Sequence, residues 1–187
     1  MTHSVWAWVE TEQGLVKESS LEVLGEARRL ADQFGISVVA VCVAGMAPAE
    51  SLGPRGADIE LMVLGPEFDG FTVEGSLEAA AAAIRDYPPQ AVLLAASARG
   101  SALAPRLAAH FGWGYAPHSV MFEGEVSKGL GVRQSVMGGK ADGLLSFEPG
   151  ATVVVTFPPG LIGLDPPEPR RASERVVLAM PDAVHLA

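Results

Sequence analysis

The sequence predicts an α/β fold, a doubly wound and mostly parallel sheet followed by an antiparallel C-terminal strand segment. Three observations carry this expectation. Residues 88–110, PPQAVLLAASARGSALAPRLAAH, give a strand, a turn and a helix in succession, and the unbroken apolar run 91–96 suits a strand buried on both faces. Upstream, apolar runs alternate with amphipathic stretches in the order strand, helix, strand, short helix, strand, helix, which is the order of a doubly wound sheet with right-handed crossovers. Beyond Gly112, short apolar runs follow one another through glycine-containing turns with no helix between them, the pattern of antiparallel strands.

Residues 4–9 form the first strand, with Trp6 and Trp8 on one face, Val5, Ala7 and Val9 on the other, and Glu10 at its end. Ser19-Ser20-Leu21-Glu22 has the form of a capping box, so a helix is predicted to start there with the Ser19 hydroxyl on the N3 amide. Val23, Ala27, Leu30 and Phe34 would carry its buried face, and Gly35 would close it in a left-handed C-cap. Residues 36–43 are the second strand. The Gly- and Pro-rich connection 45–56 has room for one short helical turn, and residues 59–64 are the third strand. Gly65-Pro66 breaks the chain; a helix follows Thr72, with Leu77, Ala80, Ala81 and Ile84 inward, and Pro88 stops it.

Residues 91–96 are the fourth strand, and the C-terminal end of such a strand is the ligand edge of a parallel sheet. Leu103, Leu107 and Phe111 make the apolar stripe of the next helix. Pro105 has no N–H to give, which places the N-cap nearer Ala102 than Ser101. Four antiparallel strands are then predicted at 115–122, 130–136, 141–147 and 151–157. Residues 158–172 hold Pro158, Pro159, Pro166, Pro167 and Pro169, too many for regular structure, and are expected to be an exposed arm. Residues 175–180 would add an edge strand. The division expected is a domain at 1–160 and a Pro-rich linker or arm at 161–187.

Composition excludes several classes. Of 187 residues, 49% are hydrophobic and only 6% aromatic, so a single core must be built mainly from Ala, Val and Leu. A net charge of −9 argues against a nucleic-acid partner, whose phosphates call for clustered Lys and Arg. No apolar run approaches the roughly 18 residues of a membrane span, and the opening MTHSVWAWVE lacks the layout of a signal peptide. A soluble, cytoplasmic protein is expected. Cys42, the only cysteine, lies in the apolar run 38–43, where it serves as a small hydrophobe; one cysteine makes neither a disulfide nor a thiolate metal site.

No catalytic constellation assembles from spacing. His3, His110, His118 and His185 share no metal-ligand spacing, and Ser97 and Ser101 lack the G-x-S-x-G setting of an elbow nucleophile. Catalysis by this chain alone is not expected. The first small-molecule candidate is the turn containing Ser97, Arg99, Gly100 and Ser101, because ligands of open α/β sheets collect at strand C-termini and helix N-termini attract phosphate. It is neither a G-x-G-x-x-G nor a Walker loop, and a plain connecting turn with Arg99 in water fits the residues equally well. The second candidate, Gly138-Gly139-Lys140, could approach a phosphate or a partner's backbone, or simply be hairpin chemistry.

Taken together, the motifs resemble the N-terminal domain of the electron transfer flavoprotein alpha subunit. The resemblance covers about residues 4–160. It runs through Val5-Trp6-Ala7-Trp8-Val9-Glu10, the stretch from Ser20 to Ala31 (SLEVLGEARRLA), Gly56-Ala57-Asp58, Gly100 with Leu103-Ala104-Pro105-Arg106-Leu107-Ala108-Ala109, Gly138-Gly139-Lys140 and Thr156-Phe157-Pro158-Pro159-Gly160. It implies an adenine nucleotide alpha hydrolase-like, Rossmann-like three-layer fold. It also implies a beta-like partner subunit, FAD in the complete assembly, and a role in carrying electrons from dehydrogenases. The family's Gly-Arg-Asp motif is here Gly100-Ser101-Ala102, so the polar contacts of that Arg and Asp are expected to be missing. The family's C-terminal domain, which supplies most FAD contacts, has no counterpart in this sequence. Weak or absent FAD binding by the chain alone is therefore expected, with the flavin on a beta-like subunit or a separate FAD domain. The alternative is a stand-alone regulatory module that binds an adenine nucleotide such as AMP and has lost the redox role; self-association as a homodimer is a further expectation to be tested.

Overall fold

The computed structural model describes residues 4–123, 130–137 and 139–179. Largely apolar strands make its centre. β1 (Ser4–Val9), β4 (Ser37–Ala44), β5 (Ile59–Leu64) and β6 (Pro89–Ala95) bury nearly every residue on both faces, and helices cover both sides. α1 (Glu18–Phe34) packs with Val5, Ala7, Val9, Val38 and Ala40 on one face. α2 (Val73–Ile84) and α3 (Ala98–Phe111) pack with Trp6, Trp8, Val39, Val41 and Val92 on the other. The split of β1 between the two faces is as its alternation predicts. A short hairpin, β2 (Thr11–Glu12) and β3 (Leu15–Val16), stands between β1 and α1.

The strands β7 (Gly114–Ala116), β11 (Val153–Phe157) and β12 (Glu174–Leu178) complete a seven-stranded, all-parallel sheet in the order β12-β5-β4-β1-β6-β11-β7. β8 (Ser119–Glu123), β9 (Gly131–Val136) and β10 (Ala141–Ser146) form a separate antiparallel sheet, whose Phe122, Val132 and Leu130 join the core on the α1 side. The doubly wound, three-layer α/β architecture is therefore observed, with the antiparallel segment as a smaller unit beside it.

Five local expectations are corrected. Residues 151–157 are not antiparallel: β11 lies parallel between β6 and β7 with all five residues buried, as its unbroken Val153-Val154-Val155 suits a central strand. The predicted strand 115–122 is divided at Pro117 and His118, whose φ of 47° turns the chain out of the parallel sheet and into β8. The capping box does not form. α1 begins at Glu18 behind Lys17, which caps without its side chain; Ser20 Oγ instead accepts from the Glu10 amide at 2.9 Å, and Glu22 accepts from the amides of Gly160 and Gly163 at 3.1 and 3.3 Å. A tertiary contact has claimed Glu22, and Ser19, expected as the cap, lies inside the helix. α3 begins at Ala98, one turn earlier than Pro105 suggests, because Ser97 caps it and the Ser101 carbonyl that Pro105 leaves free faces solvent on an exposed residue. In α2, Ala81 is exposed and Ala79 and Ala83 are buried, a phase set by the buried Val73 and Ser76. The turn at Gly124, the Gly138 position and residues from Met180 onward lie outside the described residues.

Two polar locks hold the sheet's β5 edge. Arg28 on α1 donates to Asp58 at 2.7 Å while Asp58 also accepts from the Val38 amide at 2.8 Å; Gly56 passes so close that a Cβ there would lie 2.9 Å from the Arg28 Cβ. Glu60, 1% exposed, accepts from the Leu52 amide, Ser51 Oγ and Ser173 Oγ at 2.7, 2.8 and 2.5 Å, and from Arg175 Nε at 2.8 Å. The buried carboxylate thus fastens β12 and the 51–53 loop to β5.

Burial pushes the Glu60 carboxyl up, but the hydrogen bonds from Ser173, Arg175, Leu52 and Ser51 outweigh it and hold the group below the ordinary glutamate value of 4.5. A depressed folded-state value stabilises the fold above the unfolded value and loses that contribution as pH falls through the folded one. Glu60→Gln is therefore expected to cost about 2–4 kcal/mol at pH 7. Urea unfolding at stepped pH should show the gap to wild type closing below the ordinary glutamate range; a gap that stays constant from neutral to acid pH refutes the linkage.

Candidate functional site

The chain runs from β1 to β4 and β5 on one side and, after α2, to β6, β11 and β7 on the other. The connections leaving β1 and β6 therefore diverge, and a crevice opens at the C-terminal ends of these strands, where doubly wound sheets hold their ligands. Its floor is built on Glu10, the residue directly after β1, which is 7% exposed. Ser97, directly after β6, donates its hydroxyl to Glu10 Oε1 at 2.5 Å and accepts from the Gly100 amide at 3.0 Å, so one side chain both caps α3 and ties two strand ends together. Lys17 Nζ stands 3.5 Å from Glu10 Oε2, which itself has no hydrogen bond. Gly100 is required by space: a Cβ there would lie 2.0 Å from the carbonyl oxygen of Ala95.

Arg99 turns the other way, into the crevice. Its guanidinium sits 5.7 Å from the centre of the Phe71 ring and 3.5 Å from the Thr11 carbonyl oxygen, and among the described residues it has no ion pair. Thr11, Glu12, Gln13 and Gly14 from the hairpin form one wall, the turn after β4 at 44–46 another, and residues 68–72 with Ser76 the third, enclosing about 320 Å³. Gln13 with φ 51° and Gly14 with φ 76° make the sharp hairpin tip, and the Gly14 carbonyl accepts from the Ala49 amide at 3.3 Å, which pins the tip to the neighbouring loop. At Gly45 an added Cβ would fall 1.6 Å from Asp69 Oδ1, so glycine lets the Asp69 carboxylate fold over the cavity mouth. An inner recess of about 20 Å³ reaches Trp8, Glu10, Ser76 and Gly100.

Of the residues singled out in the sequence, Ser97, Arg99 and Gly100 come together here. Ser101 points out to solvent from the exposed side of α3. Gly139, with φ 84°, and Lys140 are exposed at the tip of the β9–β10 hairpin, and no hydrogen bond or ion pair among the described residues joins them to the crevice. Gly138 lies outside the described residues. Glu10, Gly45, Asp69 and Phe71 were not among the sequence's site candidates, although Glu10 ends a buried strand and so had a readable signal. Cys42 is fully buried, and burial, eased only in part by contact with Thr11, pushes its thiol up to about 12; it is chemically inert. Among the described residues no group of His, Cys, Asp or Glu could hold a metal ion, and no helix is long and apolar enough to cross a membrane.

Comparison with known proteins gives a consistent result. The electron transfer flavoprotein domain family matches residues 5–183. The chain is 35% identical over 106 residues to the electron transfer flavoprotein subunit alpha of Thermoanaerobacterium thermosaccharolyticum, covering 56% of this chain and 32% of that protein. It is 28% identical over 156 residues to the subunit alpha of Syntrophomonas wolfei, covering 83% of this chain and 48% of the other. With protein FixB of Clostridium saccharobutylicum it shares 27% identity over 126 residues, 67% of this chain and 38% of the other. The chain thus spans about a third to a half of the length of these relatives.

The floor of the crevice makes a direct prediction. Ser97→Ala removes a cap and a bond to a buried carboxylate and is expected to cost about 1–3 kcal/mol; Gly100→Ala, pressed against backbone, about 2 kcal/mol or more. Lys140→Ala, on the exposed hairpin, should stay within about 0.5 kcal/mol of wild type. Chemical denaturation of the three variants decides: equal losses for Ser97→Ala and Lys140→Ala would show that the Ser97–Glu10 tie holds nothing.

Proposed function

We propose, on the premise that this chain belongs to the electron transfer flavoprotein domain family, that it is the non-catalytic scaffold of an alpha-type subunit in flavin-dependent electron transfer. The observation that carries this is the family match across residues 5–183, and the architecture agrees with it. Among the described residues the ligand edge of the sheet holds the Ser97–Glu10 tie and Arg99, with no pair of titratable groups set up for acid–base work and no activated nucleophile. Redox chemistry in such an assembly belongs to the FAD. A crevice of about 320 Å³ is at the small end of ligand sites, roughly 300–1,000 Å³, and does not fit a whole dinucleotide, which supports a flavin held largely by other parts of the assembly. Ser97, Arg99 and Gly100 would then offer the chain's own polar contribution at the sheet edge.

The partner is a beta-like subunit, and a heterodimer in the cytoplasm is the assembly proposed. The antiparallel sheet supplies the surface that favours this. Met121 is 47% exposed, Leu144 58% and Met137 76%, and among the described residues β10 pairs only with β9, which leaves its other edge open. Exposed apolar side chains beside an unpaired edge suit docking by another chain, and Gly139 with Lys140 sits at the tip of the same hairpin. The Pro-rich arm, exposed along 163–170, offers a second surface, beside α1 and residues 54–55.

A second reading, a nucleotide-binding module that takes a ligand such as AMP without a redox role, is favoured by Arg99 inside the crevice, which has no ion pair among the described residues. Co-expression with a beta-like subunit separates the two. A one-to-one complex with a flavin spectrum, alongside a colourless isolated chain, is the expected outcome by native mass spectrometry and absorbance. Leu144→Asp should weaken that complex by about tenfold or more. Stoichiometric FAD retained by the isolated chain, a homodimer, or no association with any beta-like subunit would overturn the scaffold role.

A further inference from the structure

A second cavity, of about 410 Å³, opens between α1 and the Pro-rich arm. It stands at the opposite end of the sheet from the crevice, because its Arg28 donates to Asp58 and to the carbonyl of Ile36, the residues that lead into β5 and β4. Four of the ten arginines in a chain of net charge −9 line it: Arg28, Arg29, Arg55 and Arg171. Two carboxylates share that lining, Asp165 and Glu168, both exposed on the arm. The other acids that these arginines meet, Glu26, Asp32 and Asp58, stand outside the lining.

The chain leaves part of this guanidinium capacity unused. The half-buried Arg55 has no ion pair among the described residues, and its hydrogen bond there goes to the Asp165 carbonyl at 3.2 Å, although a guanidinium carries five N–H donors. Arg28 Nε is buried without a hydrogen-bond partner among the described residues, and Arg171 Nη1 comes no nearer to Asp58 than 3.6 Å. The four cations also come in two pairs. Arg29 and Arg55 meet at Asp165, 3.3 Å from its carboxylate and 3.2 Å from its carbonyl; Arg28 and Arg171 meet at Asp58. Asp58 is locked by the Val38 amide as well. Asp165 is an exposed side chain on an arm without helix or strand, and an exposed ion pair of that kind holds weakly, so it yields to a better-placed anion. A volume of about 410 Å³ suits a small ligand. The rest of the lining, Leu21, Pro54, Pro166 and Pro167 with two glycines, is apolar and offers no ring on which a base would stack. A single phosphate satisfies one arginine pair, whereas a short hydrocarbon chain with a carboxylate at each end satisfies both.

We infer that this cavity binds a short aliphatic dicarboxylate, with one carboxylate on Arg55 and Arg29 in place of the Asp165 side chain, the other on Arg171, and the hydrocarbon against Leu21 and the prolines. Asp165 is then a tethered competitor for the ligand's seat. The site is separate from the crevice and from the subunit role: a chain that forms the flavin complex yet binds no dicarboxylate fails this test alone.

Calorimetric titration of the purified 187-residue chain at pH 7 and low salt tests it, with succinate, butyrate and inorganic phosphate as probes. Succinate should bind at a single site. Butyrate, of the same length with one carboxylate, and phosphate should each bind about tenfold or more weaker. Arg55→Gln should lower succinate affinity by about tenfold or more, while Arg85→Gln, on the exposed end of α2, leaves it unchanged. Asp165→Asn keeps the shape of the arm and removes the competing charge, so it should tighten succinate by about threefold; a residue that did no more than hold the arm in place would weaken binding on removal. The same variant stands in if Arg55→Gln does not fold. No succinate binding at millimolar concentration, butyrate or phosphate binding as tightly as succinate, equal affinities in Arg55→Gln and Arg85→Gln, or weaker binding in Asp165→Asn overturns the inference.

Discussion

The contact on which this molecule's ligand edge depends is the hydrogen bond between Ser97 and the buried Glu10. A parallel sheet has no hairpins to set the ends of neighbouring strands, so each connection leaves in its own direction and must be fixed by side chains. β1 and β6 are adjacent in the sheet but 79 residues separate Glu10 from the start of β6 at Pro89 in sequence. Ser97 closes that distance. Because the same oxygen also caps α3, the direction of the helix, the position of Gly100 and the inward turn of Arg99 all follow from one interaction. The crevice is in this sense a by-product of how two strand ends are tied.

That tie is one of three of the same kind. Glu10, Glu22 and Glu60 are 7%, 6% and 1% exposed, and each accepts hydrogen bonds from a segment far away in the chain: Ser97 for Glu10, the amides after β11 for Glu22, and the residues around β12 for Glu60. A buried carboxylate without partners would be prohibitive, so each of these positions specifies its partner segment strongly. An acidic chain built on Ala, Val and Leu has little shape information in its core; the buried acids restore it at the joints. The Arg28–Asp58 pair works in the same way at the opposite end of the strands, where Gly56 yields the space.

The strands and helices up to Gly112 were legible in the sequence because each is a local signal: β5 falls where its apolar run does, Gly35 takes the left-handed cap with φ 65°, and Thr72 caps α2. Errors arose where a local signal had a non-local use. Ser19 and Glu22 matched a capping box, but Ser19 lies within the helix and Glu22 serves the loop after β11 instead. Pro105 argued for a late helix start, yet its cost fell on a solvent-facing turn. The strand 153–157 looked like one more member of an antiparallel series because nothing local tells a buried edge-to-centre insertion from a meander. The crevice was half visible: Ser97, Arg99 and Gly100 stood in one turn, whereas Phe71 and Asp69 reach it only through the path of the chain after β5.

The placement of β12 has a consequence for how the molecule is made. β5, with the sequence IELMVL, takes β4 as its neighbour early, but its other edge is covered only when β12 arrives, 115 residues later between Glu60 and Arg175. During synthesis that edge is a flat, apolar, unpaired strand of the kind that templates intermolecular pairing, and it remains so until residues 174–178 have emerged from the ribosome. Glu60, near its start, acts as a gatekeeper in that interval. A charge that would disrupt any foreign strand laid against β5 becomes, once Ser173 and Arg175 emerge, the group that admits the right one.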